Sequence, residues 1–172
     1  MPSEALAVTA ITNLDKSPAI RTTNYGSPIQ AAYGTLTATT GKTSGSTYQL
    51  VRLKSSAILH GLKLWLDATV TTFTGDVTLY YSDNSLDGSV AVANSGAVVA
   101  HLFQTALALA SVVTPTEYLL GGNVKGANIG QPLWQMAGLT YDPMCYFDVV
   151  ILTTATNSGA PVVNCKADYS FN

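Results

Sequence analysis

The sequence contains few charged residues. Asp, Glu, Lys and Arg together make up 10% of the 172 residues, whereas roughly 25% is usual for a soluble domain. The hydrophobic fraction of 47% is ordinary, so small neutral residues such as Thr, Ser and Asn have replaced the missing charges. Such a surface loses little free energy on desolvation and suits a protein that packs against other subunits. It is unsuited to an enzyme, which must place acids, bases and electrostatic clamps around its substrate.

Further absences exclude other classes of protein. The ten acidic and eight basic residues are scattered and give a net charge of −2, so no basic stripe exists to neutralise the phosphates of a nucleic acid. No run of about 18 apolar residues is present, which excludes a membrane-spanning helix. Residues 1–16 lack the basic start and apolar core of a signal peptide. The two cysteines, Cys145 and Cys165, fit a protein that is made in a reducing compartment.

Residues 1–28 differ from the rest of the chain. Apolar residues come singly there, prolines interrupt the segment, and neither a helical nor a strand period persists. Two interpretations remain open: a disordered tail, which is common at chain termini, and an extended arm that docks on a neighbouring subunit. The anchors of such an arm would be Leu6, Val8, Ile11 and Leu14. We predict that residues 29–172 form one domain.

From residue 29 onwards the pattern is mostly that of β-strands. The Ala- and Leu-rich segment 101–113 falls near helical spacing, although a bent strand also fits it. Pro132 and Gly138 bracket one predicted helical turn. Alternation predicts short strands over 29–36, 48–53, 58–66, 75–82, 118–120, 146–154 and 162–169. Six to eight short strands with little helix predict an all-β, antiparallel β-sandwich that is jelly-roll-like.

The alternation also predicts which side chains are buried. The strand from Ile58 to Leu66 shows the strongest alternation and places His60 on its apolar face. We therefore expect His60 to be a hydrogen-bonded core or interface residue rather than a catalytic base. The apolar run 149–152 predicts burial on both faces of its strand.

A hairpin turn is predicted at 157–159, between the last two strands. In that hairpin Cys165 would face Ile151, and Cys145 would lie beyond the distance that a disulfide can span. We therefore expect both cysteines to be buried thiols.

No motif provides a catalytic or metal site. Neither His60 nor His101 has a carboxylate or cysteine at the spacing of a metal site. The tripeptide Gly41-Lys42-Thr43 resembles the end of a phosphate-binding loop, but Leu36 stands where that loop needs a glycine, and a strand follows instead of a helix. We predict no catalytic residue, no metal site and no cofactor.

The acidic segment 83–88 partly matches a calcium-binding loop. The segment 83–88 has oxygen-bearing side chains at alternate positions before a glycine, as calcium loops do. Asn94 stands where a glutamate should close such a site, and no helix is predicted on either side. A solvated loop with Asx turns is the favoured interpretation. Whether the loop from Asp83 to Asp87 binds an ion is left open.

Several short motifs carry a family resemblance. They are AVTAITNLD at 7–15, TYQLVRL at 47–53, PLWQ at 132–135, and the following GL, DP and YFDVV up to residue 150. With these motifs in this order, the chain resembles small virion proteins of tailed bacteriophages and prophages, encoded near the major capsid protein. The resemblance is to head-decoration or cement proteins and runs from about residue 5 to the end, although residues 82–97 have no counterpart.

The resemblance implies a non-enzymatic structural protein that binds the outside of the expanded capsid and stabilises the head. The implied partners are the major capsid protein and further copies of the chain, as a homotrimer. The protein would be made in the host bacterial cytoplasm and located in the virion, on the capsid surface. From composition and position, we expect contacts with the capsid or the adjacent subunit to come from the arm, through Leu6, Val8, Ile11, Leu14 and Arg21.

The alternative is a carbohydrate-binding β-sandwich of a phage tail appendage. It predicts an exposed aromatic platform near Trp65 or Trp134. Aromatic residues are numerous enough to line a sugar cleft, but more often such residues fill the core of a sandwich.

Overall fold

The computed structural model describes residues 28–82, 93–94, 97–98, 102–119, 124 and 128–171. The proposed arm residues Leu6, Val8, Ile11, Leu14 and Arg21 lie outside the described residues, as do the loop from Asp83 to Asp87 and His101. The predictions made for them stay predictions. Within the described residues, no helix is long and apolar enough to cross a membrane.

Two antiparallel sheets of four strands each make up most of the described chain. The first sheet has the order β1-β10-β3-β8, the second has the order β2-β9-β4-β7, and β5 and β6 pair separately. The elements are β1 (Gln30–Thr37), β2 (Thr47–Lys54), β3 (Ala57–Leu66), β4 (Thr74–Tyr81), β5 (Ala93–Asn94), β6 (Ala97–Val98), β7 (Gln104–Ala108), β8 (Thr116–Glu117), α1 (Leu133–Met136), β9 (Tyr146–Thr153) and β10 (Val162–Phe171).

The strand order is that of a jelly roll. Leaving aside the small β5–β6 pair, β1 pairs with β10, β2 with β9, β3 with β8, and β4 with β7. Strands from the two ends of the chain are thus paired in order, down to the middle two. This pattern arises when one long antiparallel hairpin is rolled into two facing sheets. The predicted all-β antiparallel sandwich is confirmed, and α1 supplies the predicted helical turn.

The hydrophobic core lies between the two sheets. Leu62, Leu64 and Leu66 alternate along β3 and are completely buried. Each such side chain stabilises the fold by about 1.5–3 kcal/mol through removal of apolar surface from water. In β9, Val149, Val150 and Ile151 are completely buried as well, which confirms the predicted burial on both faces of that strand.

The predicted position of His60 is wrong. The pairing of β10 with β3 shifts register between Asp168 and Tyr169, and His60 is left without a partner position in the ladder. This bulge turns the His60 side chain to solvent, where its Nε2 lies 2.8 Å from Ser170 Oγ. Simple alternation cannot anticipate a bulge, because the extra residue reverses the facing of every residue before it.

The predicted final hairpin is also wrong. β9 pairs with β2 and β4, whereas β10 pairs with β1 and β3, so the connection crosses from one sheet to the other. The backbone of this connection bonds to other loops instead of closing a hairpin, since Pro161 O accepts from Ala38 N and Ser158 N donates to Thr72 O. Cys165 consequently aligns with Leu64 of β3 rather than with Ile151.

The two cysteines are free, as predicted. Cys165 is buried, and burial raises the pKa of its thiol to about 12. Cys145 is only half-buried, so the expectation of two fully buried thiols holds for Cys165 alone.

The segment that could be a helix or a bent strand is a strand. β7 pairs with β4, and their register shifts between Gly75 and Val77. Opposite this shift Ala106 has a φ of 48°, and its N–H donates to the Asp76 carboxylate at 2.7 Å. The pairing with the edge of β4 supplies hydrogen bonds that outweigh the helical spacing of the Ala and Leu residues.

Candidate interaction surface

Several strands begin or end together at one end of the sandwich, which we call the cleft end. β2 ends at Lys54 beside Tyr146, the first residue of β9. Phe171 at the end of β10 pairs with Ala57 at the start of β3. β1 also starts at this end, since Gln30 pairs with Tyr169.

A cleft of about 470 Å³ opens at the cleft end. The turn between β2 and β3 forms one wall, and the loop 141–145 that leads into β9 forms the other. The cleft is lined by Lys54, Ser55, Ser56, Asp142, Met144, Cys145 and Tyr146. No sequence motif predicts this cleft, because its walls are far apart in the chain.

Ser55 joins the two walls. Its N–H donates to Cys145 O at 2.8 Å, its carbonyl accepts from Trp134 N at 3.1 Å, and its hydroxyl donates to the Asp142 carboxylate. The residue is 1% exposed, so all three of its polar groups need these partners. The turn, the loop and α1 are therefore held in one arrangement.

Asp142 fixes the conformation of its own loop. Besides the Ser55 hydroxyl, its Oδ1 accepts a hydrogen bond from Met144 N at 2.9 Å. Met144 has a φ of 52°, a left-handed conformation that costs about 1–3 kcal/mol for a residue with a side chain. The Asp142 contacts stabilise this turn and direct Met144 away from the sandwich.

The loop presents large apolar side chains to solvent. Met144 is 91% exposed and Tyr141 is 73% exposed, and the neighbouring Tyr146 is 48% exposed. Methionine and tyrosine are enriched at protein–protein interfaces, where methionine adapts its shape and tyrosine adds area with little loss of entropy. A fixed loop that exposes such residues beside a cleft is typical of a binding surface.

The side chains that line the cleft are suited to non-covalent binding rather than to nucleophilic chemistry. Burial, followed by the nearby Asp142 charge, raises the pKa of the Cys145 thiol, so this thiol stays protonated at neutral pH and is a weak nucleophile. The Lys54 ammonium lies 5.7 Å from the centre of the Phe171 ring. Among the described residues, no group of three or more His, Cys, Asp or Glu side chains could hold a metal ion.

The outer face of the first sheet offers a less favourable surface. Lys166 lies 2.9 Å from the Asp168 carboxylate and over the Tyr33 ring, 5.9 Å from its centre. Its charge is thus already partnered within the chain. The tryptophans named by the carbohydrate alternative, Trp65 and Trp134, are half-buried, and Trp134 packs against the core.

Comparisons with known proteins bear on the fold. No family model and no curated protein matches the sequence. The solved structures that are similar include a chain of "Cyanophage Pam1 capsid asymmetric unit", with a TM-score of 0.52, 15% identity and coverage of 90% of this chain and 92% of that chain. A chain of "Acidic stable capsid structure of Helicobacter pylori bacteriophage KHP30" has a TM-score of 0.38, 14% identity and coverage of 83% and 87%. Over most of its length, the protein therefore shares its fold with a chain of the cyanophage capsid structure.

Proposed function

We propose that the protein is a structural component of a bacteriophage virion that binds the outside of the capsid as a decoration, or cement, protein. The observation that carries this proposal is the jelly-roll fold shared with a chain of the cyanophage Pam1 capsid structure over 90% of the present chain. The low fraction of charged residues supports it, because a neutral surface can be covered by neighbours at little desolvation cost.

A decoration protein stabilises a head by mass action. It binds the assembled shell and not the separated subunits, and the assembled state is therefore favoured by the free energy of binding. The partners in this proposal are the major capsid protein and further copies of the chain in a closed trimer. The protein is made in the host cytoplasm and ends on the capsid surface.

The roles of the described carboxylates support a non-enzymatic protein. Glu117 Oε1 accepts hydrogen bonds from Leu62 N at 2.8 Å and from Leu119 N at 2.9 Å. Asp148 pairs with Arg52 through two bonds of 2.8 and 3.0 Å, and Asp142 holds the cleft loop as described above. Each of these acids accepts hydrogen bonds from the protein's own backbone or side chains, which is a structural role.

Sedimentation with viral heads tests the proposal. Expanded heads of the phage or prophage that encodes the chain are mixed with the purified protein and separated on a density gradient. We expect the full chain to migrate with the heads and to raise the temperature at which they disrupt. A variant lacking residues 1–20 should stay at the top of the gradient, because the arm supplies the contacts, while its circular dichroism spectrum remains that of the folded sandwich.

The control for this experiment is Val113→Ser, which removes an exposed apolar side chain outside the cleft and should bind heads normally. Absence of the full chain from the head fraction would contradict the proposed function. Normal binding by the truncated chain would contradict the role of the arm alone.

A further inference from the structure

We propose that the cleft between the β2–β3 turn and the loop 141–145 binds the N-terminal arm of a neighbouring copy of this chain. The anchors that enter it come from Leu6, Val8, Ile11 and Leu14. This inference rests on the proposed function and deepens it, because it names the surface that receives the arm and makes each subunit both donor and acceptor.

The position at which the arm leaves the sandwich supports the inference. Residues 1–27 precede Pro28, and β1 begins two positions later at Gln30, which pairs with Tyr169 at the cleft end. The arm therefore starts at the same end as the cleft. Ile29 at its base is 66% exposed, so the sandwich presents an exposed apolar side chain where the arm begins.

The length of the arm indicates a neighbouring copy as the donor. Leu14 and Leu6 precede Pro28 by 14 and 22 positions. In an extended chain these positions correspond to about 45 and 70 Å, whereas a strand of eight residues spans only about 27 Å. An arm that starts beside its own cleft would have to fold back on itself to enter it, but an extended arm reaches the next subunit directly.

The exposed apolar side chains at the cleft are suitable partners for the apolar anchors of the arm. The large apolar residues Leu6, Val8, Ile11 and Leu14 of the arm are separated by smaller residues, so an extended segment would present separate anchors to a groove. The lining of the cleft supplies Met144 and Tyr146 as exposed apolar partners, and the exposed Tyr141 precedes the lining residue Asp142 in the chain. An arm that orders only on binding loses conformational entropy, and several such anchors are needed to offset that loss.

Cross-linking tests this contact without any capsid. Single cysteines are introduced in the full chain at the four anchor positions, one at a time, and joined to the native Cys145 with a short bismaleimide, at a mildly alkaline pH at which N-ethylmaleimide labels Cys145 completely. Unlabelled and nitrogen-15-labelled copies are mixed beforehand, and the linked peptides are identified by mass spectrometry. Cys165 serves as an internal control, because its buried thiol is unreactive.

We expect linked peptides that join labelled to unlabelled chains for at least one anchor position. Their yield should exceed by about tenfold that of a matched chain with Cys145→Ser and Val113→Cys, since binding raises the local concentration of the partner thiol. Links within one chain alone, or no links to Cys145 at any position, would overturn the inference.

Self-association gives a second readout. The double variant Tyr141→Ser, Met144→Ser removes two exposed side chains that the fold does not use, and it should weaken self-association about tenfold or more, as expected for central interface residues. Val113→Ser should leave the light-scattering mass of the assembly unchanged. An unchanged mass for the double variant would contradict the inference, while binding to heads reports on the proposed function separately.

Discussion

Gly34 illustrates how a single residue allows the two sheets to meet at their edge. β1 belongs to the first sheet and β2 to the second, and a Cβ placed on residue 34 would overlap the carbonyl oxygen of Leu50. The β2–β9 register shifts between Gln49 and Val51, so Leu50 lies in a bulge that brings its carbonyl towards β1. Glycine is required here for space, and not for an unusual backbone angle.

The variant Gly34→Ala should therefore be strongly destabilised. The added methyl group meets backbone atoms that cannot move without breaking the bulge, and we expect a loss of about 3 kcal/mol in the free energy of unfolding. Urea denaturation followed by tryptophan fluorescence measures this loss.

The matched control is Gly61→Ala. A Cβ at that position lies 3.2 Å from Glu117 Oε2, whereas the bonds to Leu62 and Leu119 are made by Oε1. A small shift of the carboxylate relieves this contact, and the cost should be about 1 kcal/mol or less. Equal stability of the two variants would show that the contact with Leu50 does not constrain the sheets.

At the scale of elements, alternation in the sequence predicted strands well and their long-range partners poorly. The strand predicted over 58–66 is found at Ala57–Leu66, because an alternation with apolar residues at four of its five positions leaves few other structures. His60 was misplaced because a bulge depends on the partner strand, and the segment near Ala106 was ambiguous because its pairing with β4 is equally non-local. The prediction of a β9–β10 hairpin was wrong because local turn residues do not show that the chain crosses from one sheet to the other.

The cleft could not be predicted for the same reason. Ser55 and Asp142 are separated by 87 positions, and neither wall alone resembles a site. The residues Asp142-Pro143 indicated only a turn. The bond from Met144 N to Asp142 is local and typical of an Asx turn, but the Ser55 bond that fixes the loop against the β2–β3 turn joins distant parts of the chain, which no local pattern encodes.

In the loop 141–145, the charge of Asp142 should affect the reactivity of the Cys145 thiol. Burial and, to a smaller extent, the Asp142 charge raise the pKa of the Cys145 thiol. Asp142→Asn should therefore lower that pKa, while an amide oxygen still accepts the Ser55 and Met144 bonds. Because the thiolate is the reactive form, alkylation of Cys145 by iodoacetamide should become faster between neutral and mildly alkaline pH.

The measurement is the rate of Cys145 alkylation against pH in both proteins, with Cys165 as the unreactive reference. The midpoint of the profile should shift to lower pH in the variant. An unchanged midpoint would mean that burial alone sets the pKa of Cys145.

For the whole molecule, the rolled strand order makes folding depend on the last strand. β10 lies between β1 and β3 in the first sheet, and it contributes Val163, Cys165 and Ala167 to the core. The pairing of the first strand with the last also means that most contacts are distant in sequence, which is typical of slowly folding β-proteins.

Removal of residues 162–172 should therefore abolish the fold. β1 and β3 would lose their shared partner and the core would open along one side, so we expect no cooperative thermal transition by circular dichroism. The variant lacking residues 1–20 is the matched control and should melt cooperatively. A folded product of the C-terminal truncation would contradict a core that is closed by β10.

The pairing of Gln30 with Tyr169 also has a consequence for peptide display. A tag or enzyme fused after Phe171 would emerge beside the base of the arm, where it would compete with the docking that we propose for the arm. The turn around Gly41 and Gly45 lies at the opposite end of β1 and β2, is exposed, and leaves open space around both glycines. Foreign epitopes inserted there would project away from the cleft end and leave the arm free to engage its partner.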